Sequence, residues 1–171
     1  MCRVGLVRAA VAGAVAGLAG TVAMDALWYR RYRASGGDSS PLAWEFGGKP
    51  ASWEEAAAPA KVGKLLLETI SGREVPIERA GVITNVMHWG YGKLWGANYG
   101  ALTGRGEPLP AFPAGLAFGT VVWASDYVVL PLLGIYKPIW EYDRSALRDD
   151  LTAHLVYGVG TALAFRAVIR R

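Results

Sequence analysis

Apolar residues fall into four blocks along this chain. The blocks cover residues 4–27, 81–102, 112–135 and 147–169. Each has roughly the 20 residues that a helix needs to cross the hydrocarbon core of a bilayer. A polar connection, residues 34–79, follows the first block. The pattern predicts an all-α fold, in which residues 1–171 form a single integral membrane bundle of four transmembrane helices.

Aromatic and basic residues mark the end of the first block. Residues 28–33 read Trp-Tyr-Arg-Arg-Tyr-Arg, which suits the headgroup layer because amphipathic rings favour the interface and guanidinium groups favour phosphates. A secretory signal peptide, with Arg3 and Arg8 as its basic start, is the alternative. The length of the apolar stretch and the blocks that follow it favour a membrane span.

The polar connection contains one amphipathic segment, which begins near Pro59 and ends at Gly72. One helical face of it carries four apolar side chains: Val62, Leu65, Leu66 and Ile70. We expect an interfacial helix that lies on the membrane surface. A short helix packed on the loop is the alternative.

Small residues recur at helical spacing in the second and third blocks. Glycines four residues apart allow helix backbones to approach closely in a membrane. The predicted packing residues are Gly92, Gly96, Gly100, Gly115 and Gly119. We therefore predict helices that pack through glycine grooves, with the lipid bilayer as the surrounding partner. Copies of the chain could associate as a homo-oligomer through the same grooves.

Six ionisable residues inside the blocks form the candidate polar cluster: Asp126, His88, His154, Asp25, Asp150 and Lys93. A functional role is the default hypothesis for such groups in a membrane. The carboxylates could take up protons that the histidines relay. Alternatively, the groups could hydrogen-bond to one another and hold the helices together, at about 1 kcal/mol or less per bond.

Position along the blocks refines this expectation. Asp25 and Asp150 lie near predicted helix ends, where we expect them to be hydrated or to cap the helix. Lys93 lies well inside the second block and would cost about 3 kcal/mol at a bilayer centre. We therefore expect neighbouring helices to shield Lys93.

The two halves of the chain resemble each other. Residues 16–19 (AGLA) recur as residues 114–117, and the pattern His-x-x-Tyr-Gly of residues 88–92 recurs at residues 154–158. A duplicated two-helix unit would give two parallel repeats. Such repeats would arrange four ionisable side chains as two equivalent pairs around one centre: Asp25, Asp126, His88 and His154.

Composition and charge exclude several classes. Hydrophobic residues make up 53% and charged residues 19% of the chain, whereas soluble domains carry roughly 25% charged residues. The net charge of +4 is scattered, so we expect no nucleic-acid partner. Cys2 is the lone cysteine, which excludes a disulfide scaffold. Phosphate-loop, nucleophile-elbow and metal-ligand spacings are missing, so we predict no catalytic residue, no metal and no cofactor.

The second half, residues 85–171, carries motifs of a known family. Residues 131–138 (PLLGIYKP), residues 140–141 (WE) and residues 154–158 (HLVYG) resemble the YagU-like inner-membrane proteins of bacteria. The resemblance implies a small multi-pass protein of the cytoplasmic membrane. It implies no established activity, so no catalytic residues are carried over.

Three hypotheses of function follow. The first is a structural or accessory membrane protein held together by its Asp and His groups. The second is a proton-linked transporter or channel that uses the same groups. The third, a membrane-embedded enzyme, requires a water-accessible cluster that joins Asp126 to both histidines.

Overall fold

A computed structural model describes residues 5–104 and 110–169 of the chain, all of whose regular elements are helical. Cys2 and Arg3 lie outside the described residues. Two single 3-10 turns, Ile77–Arg79 and Ile139–Glu141, precede longer helices. The α-helices are α1 (Leu6–Ala34), α2 (Pro41–Phe46), α3 (Ala58–Ser71), α4 (Ala80–Thr103), α5 (Ala111–Leu132) and α6 (Arg144–Ile169). The predicted all-α class is confirmed.

Three helices, α1, α5 and α6, are long and apolar enough to cross a membrane. Helix α4 has sufficient length, but the hydropathy of its sequence is lowered by the polar residues Asn85, His88, Lys93 and Asn98. The crossing of a membrane by α4 therefore stays a prediction.

Helix α1 is longer than predicted, and this changes the position of Asp25. The helix continues through the aromatic and basic segment to Ala34, where the apolar pattern alone placed its end near Leu27. The extension is held by Arg31, whose Nη1 donates to the main-chain oxygen of Asp149 in α6 at 2.8 Å. Asp25 consequently lies well inside α1, and the expectation that it caps a helix end is wrong.

Helix α1 lies between α4 and α6, and α5 packs against the other side of α6. Gly13 and Gly17 of α1 face Gly92, Gly96 and Gly100 of α4. A methyl group added at Gly96 would overlap the carbonyl oxygen of Gly13 and lie 2.6 Å from the Cα of Gly17. The missing side chains therefore allow the two backbones to touch.

The α5/α6 contact is built in the same way. A methyl group at Gly119 would overlap the carbonyl oxygen of His154, and one at Gly115 would lie 2.6 Å from the Cα of Val159. Gly158 of α6 lies opposite both glycines. All five glycines predicted to pack helices thus lie at helix contacts.

Helices α4 and α5 have no comparable backbone contact. Large side chains span the distance between them, and we call this boundary the α4/α5 seam. Phe118 of α5 packs against Trp95 and Tyr99 of α4, with ring centroids 6.1 Å and 4.8 Å away. The four long helices therefore close into a ring that has three narrow contacts and one wide seam.

The connection between α1 and α4 contains two helices. The predicted amphipathic helix is confirmed as α3, which ends at Gly72 with φ 64°. Its small residues Ala60 and Gly63 are buried, and Gly63 packs against Ile83 of α4. Leu65, Leu66 and Ile70 remain exposed. Helix α2 was not predicted, because its residues follow a Gly- and Ser-rich loop. The Ser40 hydroxyl caps this helix by accepting a hydrogen bond from the Ala43 amide.

Candidate functional site

Two carboxylate–histidine pairs join neighbouring helices. Asp25 Oδ1 of α1 lies 2.9 Å from His88 Nε2 of α4. Asp126 Oδ2 of α5 lies 3.3 Å from His154 Nε2 of α6. The four residues singled out by the repeated motifs therefore meet in two pairs, each formed by an acid and the histidine of the next long helix.

Asp150 joins the second pair. It precedes His154 by one helical turn, and its main-chain oxygen lies 2.9 Å from His154 Nδ1 while its Oδ1 lies 3.4 Å from the same nitrogen. Helix α6 begins at Arg144, so Asp150 is inside the helix. The prediction that Asp150 is a hydrated or capping residue near a helix end is wrong.

Tyr91 completes the surroundings of Asp126. Its hydroxyl donates to Asp126 Oδ1 at 2.7 Å, across the α4/α5 seam. Asp126 therefore has a phenol on one oxygen and an imidazole on the other. Tyr91 was not among the candidate site residues, because a tyrosine on a membrane helix usually indicates only an interfacial position.

The paired side chains are partly buried. Asp25, Asp126 and His154 expose 13%, 14% and 14% of their side-chain surface, and His88 exposes 29%. The polar cluster was predicted to be buried. The wide seam leaves them accessible instead.

Lys93 does not belong to the cluster. Its side chain is exposed on α4. Successive residues in a helix are rotated by about 100°, so Lys93 is turned away both from Gly92, which faces α1, and from Tyr91, which faces Asp126. The expectations that Lys93 is shielded and that it joins the polar cluster are wrong.

Both pairs meet the same cavity, which has a volume of about 320 Å³. His88, His154, Asp126 and Asp150 all line it. Aromatic rings form much of the remaining wall: Trp28, Tyr91, Trp95, Tyr136 and Tyr157. The first turns of α3 contribute Ala58, Pro59 and Val62, so the connection helix covers part of the cavity.

The contacts of His154 favour one arrangement of its ring protons. The main-chain oxygen of Asp150 can only accept, so the Nδ1 of His154 that contacts it carries a hydrogen. Nε2 then faces Asp126, and a single proton between nitrogen and oxygen makes that contact favourable. Without this proton, a carboxylate would face a nitrogen lone pair. The Asp126–His154 contact is therefore favourable when one proton lies between the two groups.

The described residues contain no group of three or more His, Cys, Asp or Glu side chains arranged to hold a metal ion. No protein-family model matches the chain, and neither a curated protein nor a solved structure shows significant similarity to it. The resemblance to the YagU-like family stays a prediction.

Proposed function

We propose that this chain is a four-span protein of the bacterial cytoplasmic membrane, with α4 as the fourth span. Helix α4 accompanies α1 from the Ala9–Gly100 contact to the Asp25–His88 pair. Residues 9 to 25 of a helix rise by about 24 Å, which is most of the hydrocarbon thickness. A partner that follows α1 over this distance must cross where α1 crosses. The resemblance to YagU-like proteins supports the choice of membrane.

The paired arrangement also supports an internal duplication. In each half, the first long helix supplies an acid and the second supplies the histidine that it meets. Glycines join the two helices of each half. We propose two parallel repeats, α1 with α4 and α5 with α6, that contribute one pair each.

For this four-helix bundle, we propose proton-linked transport of a small molecule through the cavity. The observation that carries the proposal is that His88, His154 and Asp126 line one cavity. Groups that served only to hold neighbouring helices together would not need to open onto a shared cavity. Cavities that bind small ligands have volumes of about 300–1,000 Å³ and combine apolar walls with a few convergent polar groups.

The chemistry of the Asp126–His154 pair supplies the link to protons. Uptake of the shared proton stabilises the contact between α5 and α6, and its release sets a carboxylate against a lone pair. Tyr91 donates to the other oxygen of the same carboxylate from α4. A change in protonation at Asp126 therefore acts on both sides of the α4/α5 seam, where the cavity lies.

Proton flux in proteoliposomes tests this function. The proteoliposomes contain a pH-sensitive dye and are placed under an imposed membrane potential that drives protons inward. We expect the wild type to acidify the interior of the liposomes. We expect Asp126→Asn and His154→Gln to abolish this proton flux. Asp38→Asn, the same chemical change at an exposed loop position, should leave the flux intact. A purely structural role predicts instead that the two site variants lower the unfolding temperature in detergent. Wild-type flux at the level of empty liposomes, across pH and candidate ions, would exclude transport.

A further inference from the structure

Five aromatic side chains line the cavity. Two are tryptophans, Trp28 and Trp95. The face of an aromatic ring carries negative electrostatic potential and attracts cations, most strongly in tryptophan. The protein already uses Trp28 in this way, since the guanidinium carbon of Arg31 lies 4.8 Å from the centroid of its ring.

The charges around the cavity have an excess of carboxylates. Asp126 and Asp150 line it, and Asp25 lies directly behind His88. Two histidines face these three acids, so one negative charge remains even when both imidazoles are protonated. The described lining residues include no lysine and no arginine.

Two carboxylate oxygens also lack partners. Oδ2 of Asp150 and Oδ2 of Asp25 are closed off from solvent and accept no hydrogen bond from any described residue. A polar atom that is buried without a partner is costly, and a negatively charged one more so. A positive charge in the cavity would lower this cost for Asp150 through space, because Asp150 is a lining residue.

The remaining surface of the cavity is apolar. Met24, Val122 and Leu130 contribute to it. An inorganic cation would leave these side chains without a partner, and an anion would be repelled by the excess of acids. The walls therefore fit a molecule that has one cationic end and one apolar end.

We propose that the cavity binds a monovalent organic cation, an amine or a quaternary ammonium group on an apolar body, with its charge between Asp126 and Asp150. This inference rests on the proposed role of the cavity as a transport site. When the cation binds, the proton shared by Asp126 and His154 leaves for water, so one positive charge enters and one departs. The other titratable groups around Asp126 are Tyr91 of α4, Tyr136 after α5, and Asp150 of α6.

Binding can be tested on the purified wild type in detergent with three probes of similar size. These are benzyltrimethylammonium, its neutral carbon isostere neopentylbenzene, and benzoate. We expect saturable quenching of tryptophan fluorescence by the cation alone, because Trp28 and Trp95 line the cavity. An equal saturable response to the neutral isostere or to benzoate would overturn the proposal, and this series needs no variant.

Proton release provides the second readout. In weakly buffered solution with an indicator dye, the cation should release protons, and its apparent Kd should rise as the pH falls. Asp126→Asn should abolish the release, and Asp38→Asn should leave it unchanged. If Asp126→Asn does not fold, Asp150→Asn should weaken cation binding at least about tenfold. Cation binding without proton release would contradict the proposed competition.

Flux measurements separate this inference from the proposed function. Cation binding with proton release, but no proton flux in proteoliposomes, would support the ligand class and exclude transport. Proton flux that depends on Asp126 but is unaffected by a gradient of benzyltrimethylammonium, together with no cation binding, would support transport and exclude this ligand class.

Discussion

The three narrow helix contacts and the α4/α5 seam are built on opposite principles. At the contacts of α1 with α4, of α1 with α6 and of α5 with α6, glycines remove side chains and let the backbones touch. At the seam, aromatic rings such as Trp95 and Phe118 keep the backbones apart. The narrow contacts leave no room for a ligand. The wide seam leaves a cavity and places the acid–histidine pairs beside it.

Residues at the narrow contacts maintain the fold, whereas side chains at the α4/α5 seam can change their conformation or their hydrogen bonds. A backbone contact cannot yield without a helix shift, whereas a side chain that spans a gap can change its rotamer or its hydrogen bond. Membrane helices without a hydrophobic driving force depend on such close packing. The expected effects of substitutions should therefore differ sharply between the two kinds of boundary.

The largest effect should follow from Gly96→Leu. The new side chain would overlap the backbone of α1 at Gly13 and Gly17, and backbone cannot move aside as a side chain can. We expect a loss of more than about 3 kcal/mol in the free energy of unfolding, at or above the usual range for overpacking, and loss of a monodisperse peak in size-exclusion chromatography.

Gly90→Leu is the matched control on the same helix. A Cβ atom at Gly90 would meet nothing within 4 Å, and Gly90 is exposed, so this variant should purify and unfold like the wild type. Equal tolerance of leucine at Gly90 and Gly96 would contradict the narrow α1/α4 contact.

A smaller effect should distinguish two tyrosines that cross between helices. The hydroxyl of Tyr157, which is 3% exposed, donates to the carbonyl oxygen of Gly92 at 2.7 Å. Tyr157→Phe should lower the free energy of unfolding by about 1 kcal/mol, the typical worth of a buried hydrogen bond. Tyr91→Phe, at the wide seam, should change stability less but should shift the pH dependence of proton flux, because it removes a donor from Asp126. If Tyr91→Phe lowered stability more than Tyr157→Phe, and only Tyr157→Phe shifted the pH dependence of proton flux, the proposed difference between the narrow contacts and the seam would be wrong.

The smallest effect should appear at the helix that covers part of the cavity. Glu68 of α3 accepts from the amide of Val75 at 2.9 Å and from Lys64 Nζ at 3.0 Å. These two hydrogen bonds, the one from Val75 first, lower the pKa of Glu68 below its usual value. A lowered pKa in the folded state stabilises the fold above the unfolded pKa, and this contribution disappears as the pH falls through the folded pKa.

Glu68→Gln should therefore speed hydrogen exchange at the Val75 amide near pH 7 by a small factor. As the pH falls through the lowered pKa of Glu68, which is below that of an ordinary glutamate, the exchange rates of variant and wild type should approach each other. A difference that grows toward acid pH would show that the bonds to Glu68 do not depend on its charge.

Local patterns in the sequence were sufficient for the features that depend on helical period. The glycines four residues apart predicted the narrow contacts, and the apolar face that ends at Gly72 predicted α3. These features are readable because the spacing of residues in one helix decides which of them share a face. The apolar blocks likewise located the four long helices.

Features that depend on contacts between distant segments could not be read in this way. The extension of α1 beyond Leu27 is held by the bond between Arg31 and Asp149, so the position of Asp25 relative to the helix end was missed. The position of Asp150 was missed because α6 begins at Arg144, before the apolar block. The outward position of Lys93 depends on which faces of α4 meet α1 and α5. The cavity arises where α4 and α5 fail to touch, and no pattern within either helix reveals a gap between them.

The central position of α1 has a consequence for how the protein is made. Its glycine-rich surface needs α4 on one side and α6 on the other, where Gly20 lies against Tyr157 and Thr161. In the proposed four-span bundle, α6 leaves the ribosome after the other long helices, so α1 would lie in the bilayer with one flank uncovered until α6 arrives. Insertion and assembly are consequently separate events. A chain interrupted before α6 would expose that flank to quality-control proteases of the membrane.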